Sequence, residues 1–268
     1  MIDEVSTYYD SSVEVEWYRL THAYSIIEYR STLYLLDKYF PKQGAILDIG
    51  SGPGRYSFHL LKLGYKMSLL DISLKELDYA RNVFNENGLK AEAFYHKSAL
   101  ELKSLSGNTY QGILIMGPMY HLHHKEERLQ ILKDAYDLLD DGGVALISYI
   151  NTWGVLKASL AEFPESFLDM ALFDRYIKGD LKFTSEEGFT KTFFTTPPQA
   201  LAEVAESGFE IVSYAGAESF IAGLNMQLKS LKETLPEVYD HYIEKACEYC
   251  ELPQYRDATE HLHIIVRK

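Results

Sequence analysis

Cysteine is nearly absent: Cys247 and Cys250 are the only two among 268 residues, too few for a disulfide scaffold. Their C-x-x-C spacing raises a redox pair or half of a zinc site. A redox pair belongs in a turn leading into a helix near the start of a βαβ unit, whereas these two lie in the helical-looking run 238–252. A zinc ion would need two further ligands, and only the distant His261 and His263 are on offer. The cysteines read as structural, and no metal is expected. Long apolar runs are missing too. The stretch around Val144–Ile150 falls far short of the ~20 residues that cross a bilayer, so no membrane span is expected. Basic charge is scarce: 26 Lys and Arg face 39 Asp and Glu, a net charge of −13, and no Lys/Arg run interrupts a field that would repel a phosphate backbone. Nucleic acid is thereby excluded as a partner. The opening residues, MIDEVSTYYD, lack the positive start and apolar middle of an export signal, which makes the cytoplasm the expected compartment. Repeats, low-complexity tracts and linkers are also lacking. What is present, 47% hydrophobic and 24% charged residues, is the composition of a folded globular chain.

Between residues 12 and 40 apolar and aromatic side chains recur at helical spacing (Trp17, Leu20, Tyr24, Ile27, Leu33, Leu36), ending at Phe40-Pro41. One or two leading helices are predicted there. From Ala45 the pattern changes to short apolar runs alternating with amphipathic segments: 45–49, 55–63, 66–71, 74–84 and 91–96, then a strand at 112–116, a helix at 126–139 and a strand at 144–150. Such alternation predicts an α/β fold with a parallel sheet flanked by helices. Asp140-Asp141-Gly142-Gly143 supplies the helix stop. The alternation lapses over 151–196, a long insertion carrying Trp153, Phe163, Phe167, Phe173, Tyr176, Phe183, Phe189, Phe193 and Phe194. These rings suit either the insertion's own core or a cage around a substrate. A helix at 198–207, a strand at 210–214, a helical region at 224–250 and a strand at 261–266 complete the chain.

The strongest chemical signal is Ile46-Leu47-Asp48-Ile49-Gly50-Ser51-Gly52-Pro53-Gly54, a buried strand entering a glycine-rich turn before an amphipathic helix. Glycines allow a sharp turn and close approach to a ligand, and a helix start offers N–H groups to an anion. Some twenty residues on, Asp71 ends the next strand, where a carboxylate can accept hydrogen bonds from both hydroxyls of an adenosine ribose. That geometry suits NAD and S-adenosylmethionine alike. A dinucleotide fingerprint counted from Gly50 would need glycine at 55, where Arg55 stands. Asp48 would also repel a pyrophosphate, yet could attract the ammonium of a methionine moiety.

From Ile46 to Ile150 the order of these motifs resembles the class I S-adenosylmethionine-dependent methyltransferases. Asp48, Gly50, Gly52 and Gly54 match that family's first motif and Asp71 its ribose acid, while residues 134–143 resemble a late helix whose usual proline is here Asp141. Ser98 stands where many members carry an acidic residue beside the adenine, and its hydroxyl can still hydrogen-bond the adenine amine. Ile115-Met116-Gly117-Pro118-Met119-Tyr120-His121-Leu122 resembles the fourth-strand motif of a small-molecule branch that often reads G-P-x-Y-H-L, and 197–209 and 261–268 resemble its C-terminal segments.

The resemblance implies a doubly wound, mostly parallel seven-stranded sheet with a reversed final hairpin. It implies one domain made of a helical N-terminal cap (1–41), a cofactor-binding core (42–150), an inserted lid over the methyl group (151–196) and a C-terminal part of the sheet (197–268). The implied cofactor is S-adenosylmethionine, with contacts from Asp48, Gly50, Ser51, Gly52, Gly54, Arg55, Asp71, Ile72, Ser98, Ala99, Met116 and Gly117. The implied reaction is in-line methyl transfer to a small-molecule acceptor by a monomer or homodimer. Alignment is its main demand. Where the acceptor must lose a proton, His121 is the candidate base and Tyr120 shapes the pocket; the alternative for His121 is a solvent-facing start of the next helix. Metal binding by His121 and His123 lacks a carboxylate spaced to complete a site. Arg55 could pair with the methionine carboxylate or solvate the helix start, and Glu28 and Arg30 are placed to close over the cofactor. The competing functions are a non-catalytic S-adenosylmethionine-binding partner or regulator and an NAD-dependent oxidoreductase.

Overall fold

A computed structural model describes residues 4–188 and 190–268; Phe189, one of the insertion's aromatic residues, lies outside the described residues. Helices α1 (Glu4–Arg19) and α2 (Ile26–Tyr39) lead into β1 (Ala45–Ile49), α3 (Arg55–Lys62), β2 (Lys66–Asp71), α4 (Leu74–Glu86), β3 (Ala93–His96), β4 (Tyr110–Ile115), α5 (Lys125–Leu138) and β5 (Leu139–Asn151). The insertion forms α6 (Thr152–Glu162), α7 (Ala171–Lys178) and a hairpin of β6 (Leu181–Phe183) and β7 (Thr192–Thr195). The chain ends with α8 (Pro197–Glu206), β8 (Glu210–Gly216), α9 (Asn225–Thr234), α10 (Pro236–Glu248), α11 (Pro253–Arg256) and β9 (His261–Arg267).

Strands run β3-β2-β1-β4-β5 in parallel, β9 pairs antiparallel with β5, and β8 pairs antiparallel with β9. This is the expected seven-stranded order with its reversed final hairpin. The hairpin β6–β7 is an addition that the alternation of apolar runs did not reveal. β7 pairs in parallel with the last residues of β5, Ile150 with Phe194 and Asn151 with Thr195, while β9 holds the other edge of β5 at Ile150. β7 therefore extends the β4 side beyond the point where β4 stops, and brings the insertion to the carboxyl ends of the strands.

Central strands read as continuous apolar runs because both faces are covered. Successive residues enter opposite cores: Leu47, Ile49, Ile113, Ile115, Ala145 and Ile147 face the α5 and α8 side, while Ile46, Leu114, Val144 and Leu146 face α2, α3 and α4. A third cluster packs α9 and α10 on α2 through Leu228, Tyr239, Ile243 and Ile27, and buries Cys247. Burial pushes the Cys247 and Cys250 thiols up to about 11 and about 12, so neither forms a reactive thiolate. Among the described residues no group of three His, Cys, Asp or Glu is disposed to hold a metal ion, and no helix is long and apolar enough to cross a membrane. α5 ends where expected, but Asp140–Gly143 is an irregularity inside β5, where the register to β4 shifts and Gly142 takes φ 76°.

One buried ion pair ties the second half together. Arg128 of α5 donates from Nε and Nη2 to the two carboxylate oxygens of Glu203 on α8 (2.8 and 2.7 Å), Tyr149 of β5 donates to the same carboxylate (2.9 Å), and the third guanidinium nitrogen donates to the Leu122 carbonyl (2.7 Å). The Phe193 ring of β7 stacks 3.7 Å from the guanidinium carbon. Removing only the cation strands a buried carboxylate: Arg128→Met is expected to lower the unfolding free energy in urea by about 3–5 kcal/mol, with part of the loss recovered in the Arg128→Met/Glu203→Leu double variant. A loss below about 1 kcal/mol would show that the pair is dispensable.

Candidate functional site

At the carboxyl ends of β1, β2 and β4 lies a cavity of about 990 Å³. Its floor is the turn after β1. Gly50 takes φ 72° and passes so close to the turn after β4 that a Cβ there would sit 2.5 Å from Pro118 Cδ, so only glycine fits. The turn's amides are committed within the protein: Gly50 and Ser51 donate to the Leu70 carbonyl (2.8 and 3.2 Å), Gly52 to Asp71 Oδ2 (2.8 Å) and Gly54 to the Ser51 carbonyl (3.0 Å). These four amides are therefore not an anion cradle; the N–H groups expected to meet an anion are those at the start of α3, behind the turn. The turn itself offers close backbone approach and a carboxylate held in place.

Asp71 is gripped from both sides, by the Gly52 amide and by the Ser73 amide on Oδ1 (2.8 Å). Burial raises its carboxyl above the ordinary value, and the amide bonds from Ser73 and Gly52 oppose that rise. Asp48 points to the α3 side and accepts from Ser57 at Oδ2 (2.7 Å); its Oδ1 is buried with no partner among the described residues. Burial, opposed by Ser57 and reinforced by Asp71, pushes its carboxyl up to about 7.

Thirteen of the fourteen residues picked from sequence line this one cavity. Asp48, Gly50, Ser51, Gly52 and Arg55 come from β1 and its turn, and Asp71 with Ile72 from the end of β2. Ser98 and Ala99 follow β3, and Met116, Gly117, Tyr120 and His121 follow β4. Gly54 is the exception. At φ 76° its missing Cβ makes room for Phe84, Ala80 and Leu69, so it serves the packing of α3 on α4 and β2. Ser98 caps the short 3-10 turn Ala99–Leu105, accepting from the Leu100 amide (3.3 Å). The Arg55 guanidinium lies between the Trp17 and Tyr29 rings (4.8 and 5.3 Å), and its buried Nε has no partner among the described residues.

The far end is built from side chains that the sequence did not single out. Tyr8, Tyr9, Glu16 and Arg19 reach down from α1, Lys191 from the insertion and His261 from β9. Glu28 lines the cavity and Arg30 does not. Arg19 bridges Glu16 (3.2 Å) and Glu28 (2.7 Å), and His261 bonds Glu218 (2.7 Å) and lies 3.9 Å from Glu28. Burial alone would raise the Glu28 carboxyl, but Arg19 and His261 bring it down to about 2. His261 is likewise carried by Glu28 and Glu218, against burial, up to about 9 and is an imidazolium at neutral pH. His121 is buried at 7% exposure rather than facing solvent. The neighbouring His123 bonds the Thr192 carbonyl (2.8 Å), and burial lowers its basicity.

The roof also differs from expectation. α1 covers the cavity, while Lys191 alone comes to it from the described part of the insertion. The insertion's rings pack on one another, Phe167 against Phe173 (4.7 Å) and Tyr176 (5.3 Å), and Phe183 against Phe194 (5.2 Å). A usable signal for α1 was present: Val5, Tyr8, Tyr9, Glu16, Arg19 and Leu20, all lining the cavity, recur at helical steps.

Residues 46–143 match a protein family described as a methyltransferase domain. None of the curated proteins compared matches the chain. Among solved structures, the 1,6-didemethyltoxoflavin-N1-methyltransferase of Burkholderia thailandensis, seen with 1,6-didemethyltoxoflavin and S-adenosylhomocysteine, is 15% identical, with a TM-score of 0.60 over 98% of this chain and 87% of its own. A SAM-dependent methyltransferase of Methanosarcina mazei is 17% identical (TM-score 0.57, 87% and 96%), and the [4+2]-cyclase SpnF is 15% identical (TM-score 0.56, 89% and 80%). At such identities the likeness shows the fold, the Rossmann-like arrangement of SAM-dependent methyltransferases, and leaves the chemistry to the site.

Behind the glycine turn, Glu76 at the start of α4 is fully buried and neither carboxylate oxygen has a partner among the described residues. Burial, then Asp71, Glu16 and Asp10, push it up to about 9 from an ordinary 4.5. Between those two values the folded protein holds a proton that the unfolded chain has lost, so stability falls as pH rises, and the loss is complete above about 9. Glu76→Gln is therefore expected to stabilise the protein by a margin that grows from pH 5 to pH 9 and exceeds about 1 kcal/mol at pH 8. Thermal and urea unfolding across that range read it; a margin independent of pH would show that Glu76 is ionised in the folded state.

Proposed function

We propose that the protein transfers a methyl group from S-adenosylmethionine to a small-molecule acceptor. The observation that carries this reading is the pairing, on one cavity, of an amide-gripped Asp71 with two unmet polar atoms, Asp48 Oδ1 and Arg55 Nε. Asp71 retains lone pairs for the vicinal hydroxyls of a ribose. A carboxylate oxygen and a guanidinium N–H complement the ammonium and the carboxylate of an amino acid. The residues present thus fit the cofactor. Bound there, S-adenosylmethionine supplies a methyl group on a sulfonium sulfur, so the demand on the protein is alignment and exclusion of water.

The chain meets that demand with a rigid floor and a covering helix. Gly50 and Gly52 let the backbone come close, and Ser98, Ala99, Met116, Gly117 and Tyr120 line the same cavity, where Ser98 and Ala99 would hold the adenine and the other three would enclose the transferred methyl. A volume near the upper end of the roughly 300–1,000 Å³ typical of ligand sites supports a second molecule beside the cofactor. That room favours an enzyme over a silent binder. The NAD-dependent reading is disfavoured by the committed amides of the glycine turn and by two carboxylates where a pyrophosphate would need donors.

Calorimetric titration with S-adenosylmethionine, S-adenosylhomocysteine and NAD tests the assignment. The first two are expected to bind and NAD to fail, and Asp71→Ala to weaken both by at least about tenfold, as for loss of a hydrogen bond to a charged group. Binding of NAD alone would overturn it.

A further inference from the structure

Tyr9 stands where α1 meets the turn after β4. Its phenol oxygen lies 2.9 Å from His121 Nε2, and the two rings meet edge to face with centroids 5.5 Å apart. On the opposite side of the imidazole, Nδ1 lies 2.9 Å from the carbonyl oxygen of Lys191. A carbonyl only accepts, so Nδ1 carries the ring proton; Nε2 of the neutral ring is then an acceptor, and the Tyr9 O–H donates to it. The backbone of the insertion thereby fixes the tautomer, and α1 supplies the donor. Tyr120, the other phenol beside this imidazole with its centroid 4.9 Å away, is committed to the Met116 carbonyl and closes the wall.

Both Tyr9 and His121 line the cavity. Burial, then Tyr120 and Glu16, hold the Tyr9 phenol well above its ordinary value, with Arg19 opposing. Tyr9 is therefore a neutral O–H whose remaining lone pair can take a proton only while its own leaves, and among the described residues the geometry directs that proton towards Nε2.

We propose that Tyr9 and His121 form a proton relay, and that the acceptor is accordingly a group that sheds a proton on methylation, a hydroxyl oxygen or an N–H nitrogen. The proposal rests on the methyltransferase reading. A lone pair of the acceptor forms the bond to the methyl carbon and the carbon–sulfur pair returns to sulfur. The acceptor's proton passes to Tyr9 Oη as Tyr9's own proton passes to His121 Nε2. The positive charge lost at sulfur reappears on the imidazolium, whose proton then exchanges with solvent. Tyr9 is the group that touches the acceptor, and His121 works through it.

The test begins without turnover. In ¹⁵N-histidine-labelled protein saturated with S-adenosylhomocysteine, His121 is expected to be the Nδ1–H tautomer at neutral pH with a hydrogen-bonded, unprotonated Nε2. Tyr9→Phe should shift the Nε2 resonance and, because the lost donor stabilised the neutral ring, raise the His121 titration midpoint; an Nε2–H tautomer, or signals unchanged in Tyr9→Phe, would overturn the relay. S-Adenosylhomocysteine formation is then followed with phenol, indole (a neutral N–H that can be N-methylated only by losing its proton) and thiophenol at pH 8. On whichever of the first two the wild type methylates, Tyr9→Phe and His121→Gln should lower kcat at least tenfold without changing the KM for S-adenosylmethionine. Thiophenol, already a thiolate, should be indifferent to both variants where it is methylated. An equal loss on thiophenol would mark the pair as structural. Failure of the wild type to bind either adenosyl compound would sink the methyltransferase reading itself, whereas normal binding with an unperturbed His121 sinks only the relay.

Discussion

The site depends on a turn that satisfies its own backbone. Gly50, Ser51 and Gly52 send their amides to Leu70 and Asp71, so the ends of β1 and β2 are tied into one rigid ledge before any ligand arrives. That commitment has a chemical consequence. A ledge with free amides attracts anions; one whose amides are committed and whose cavity-lining carboxylates are the buried Asp48 and Asp71 favours hydroxyls and cationic nitrogen instead. Carboxylates this deeply buried are unfavourable for folding, as the upward displacement of Asp48 and Glu76 records. They persist on a sheet covered on both faces by two apolar cores.

The roof is assembled on a different principle. α1 buries one residue, Trp17, against Phe58 and Tyr79, and beside that contact is held by polar ties: Ser73 to Asp10 (2.6 Å), Arg19 to Glu28 and Tyr9 to His121. An element with little apolar burial and several hydrogen bonds at its margin opens at lower free energy than the sheet beneath it. The cavity lies under this element, whose Val5, Tyr8, Tyr9, Glu16 and Arg19 line it. The rigid floor and the loosely held cover are therefore complementary, one setting alignment and the other access.

What the sequence discloses follows the same division. β1 and β2 were delimited to the residue because an apolar strand between two cores carries its own signature, and the glycine turn, Asp71 and the run 115–122 were readable because each needs a particular residue type at a particular place. The first two turns of α1 were missed because their inward face meets a polar cavity: Tyr8 and Tyr9 are what a solvent-facing helix also carries. The insertion behaves conversely: among its described residues only Lys191 lines the cavity. The insertion's rings are apolar enough to cover a ligand, yet the same property draws them onto each other. Contacts such as Tyr9 with His121, 112 positions apart, and His121 with Lys191, 70 apart, are set by tertiary folding and leave no local trace.

The placement of His121 shows how far such long-range setting extends. The residues on its C-terminal side are clamped from both ends: Arg128 holds the Leu122 carbonyl while its other nitrogens are locked on Glu203 of α8, and His123 bonds the carbonyl of Thr192 in β7. β7 is itself positioned by its pairing with the last residues of β5, and Tyr149 of β5 bonds the same Glu203. A change at Glu203 would thus reach His121 through Arg128 and through Tyr149 without touching the cavity. The buried ion pair is consequently part of the site's geometry as well as of the fold's stability. What such an arrangement holds fixed is the position of the imidazole, and any compensating apolar replacement of the pair would have to restore the Leu122 carbonyl's partner before it could restore that position.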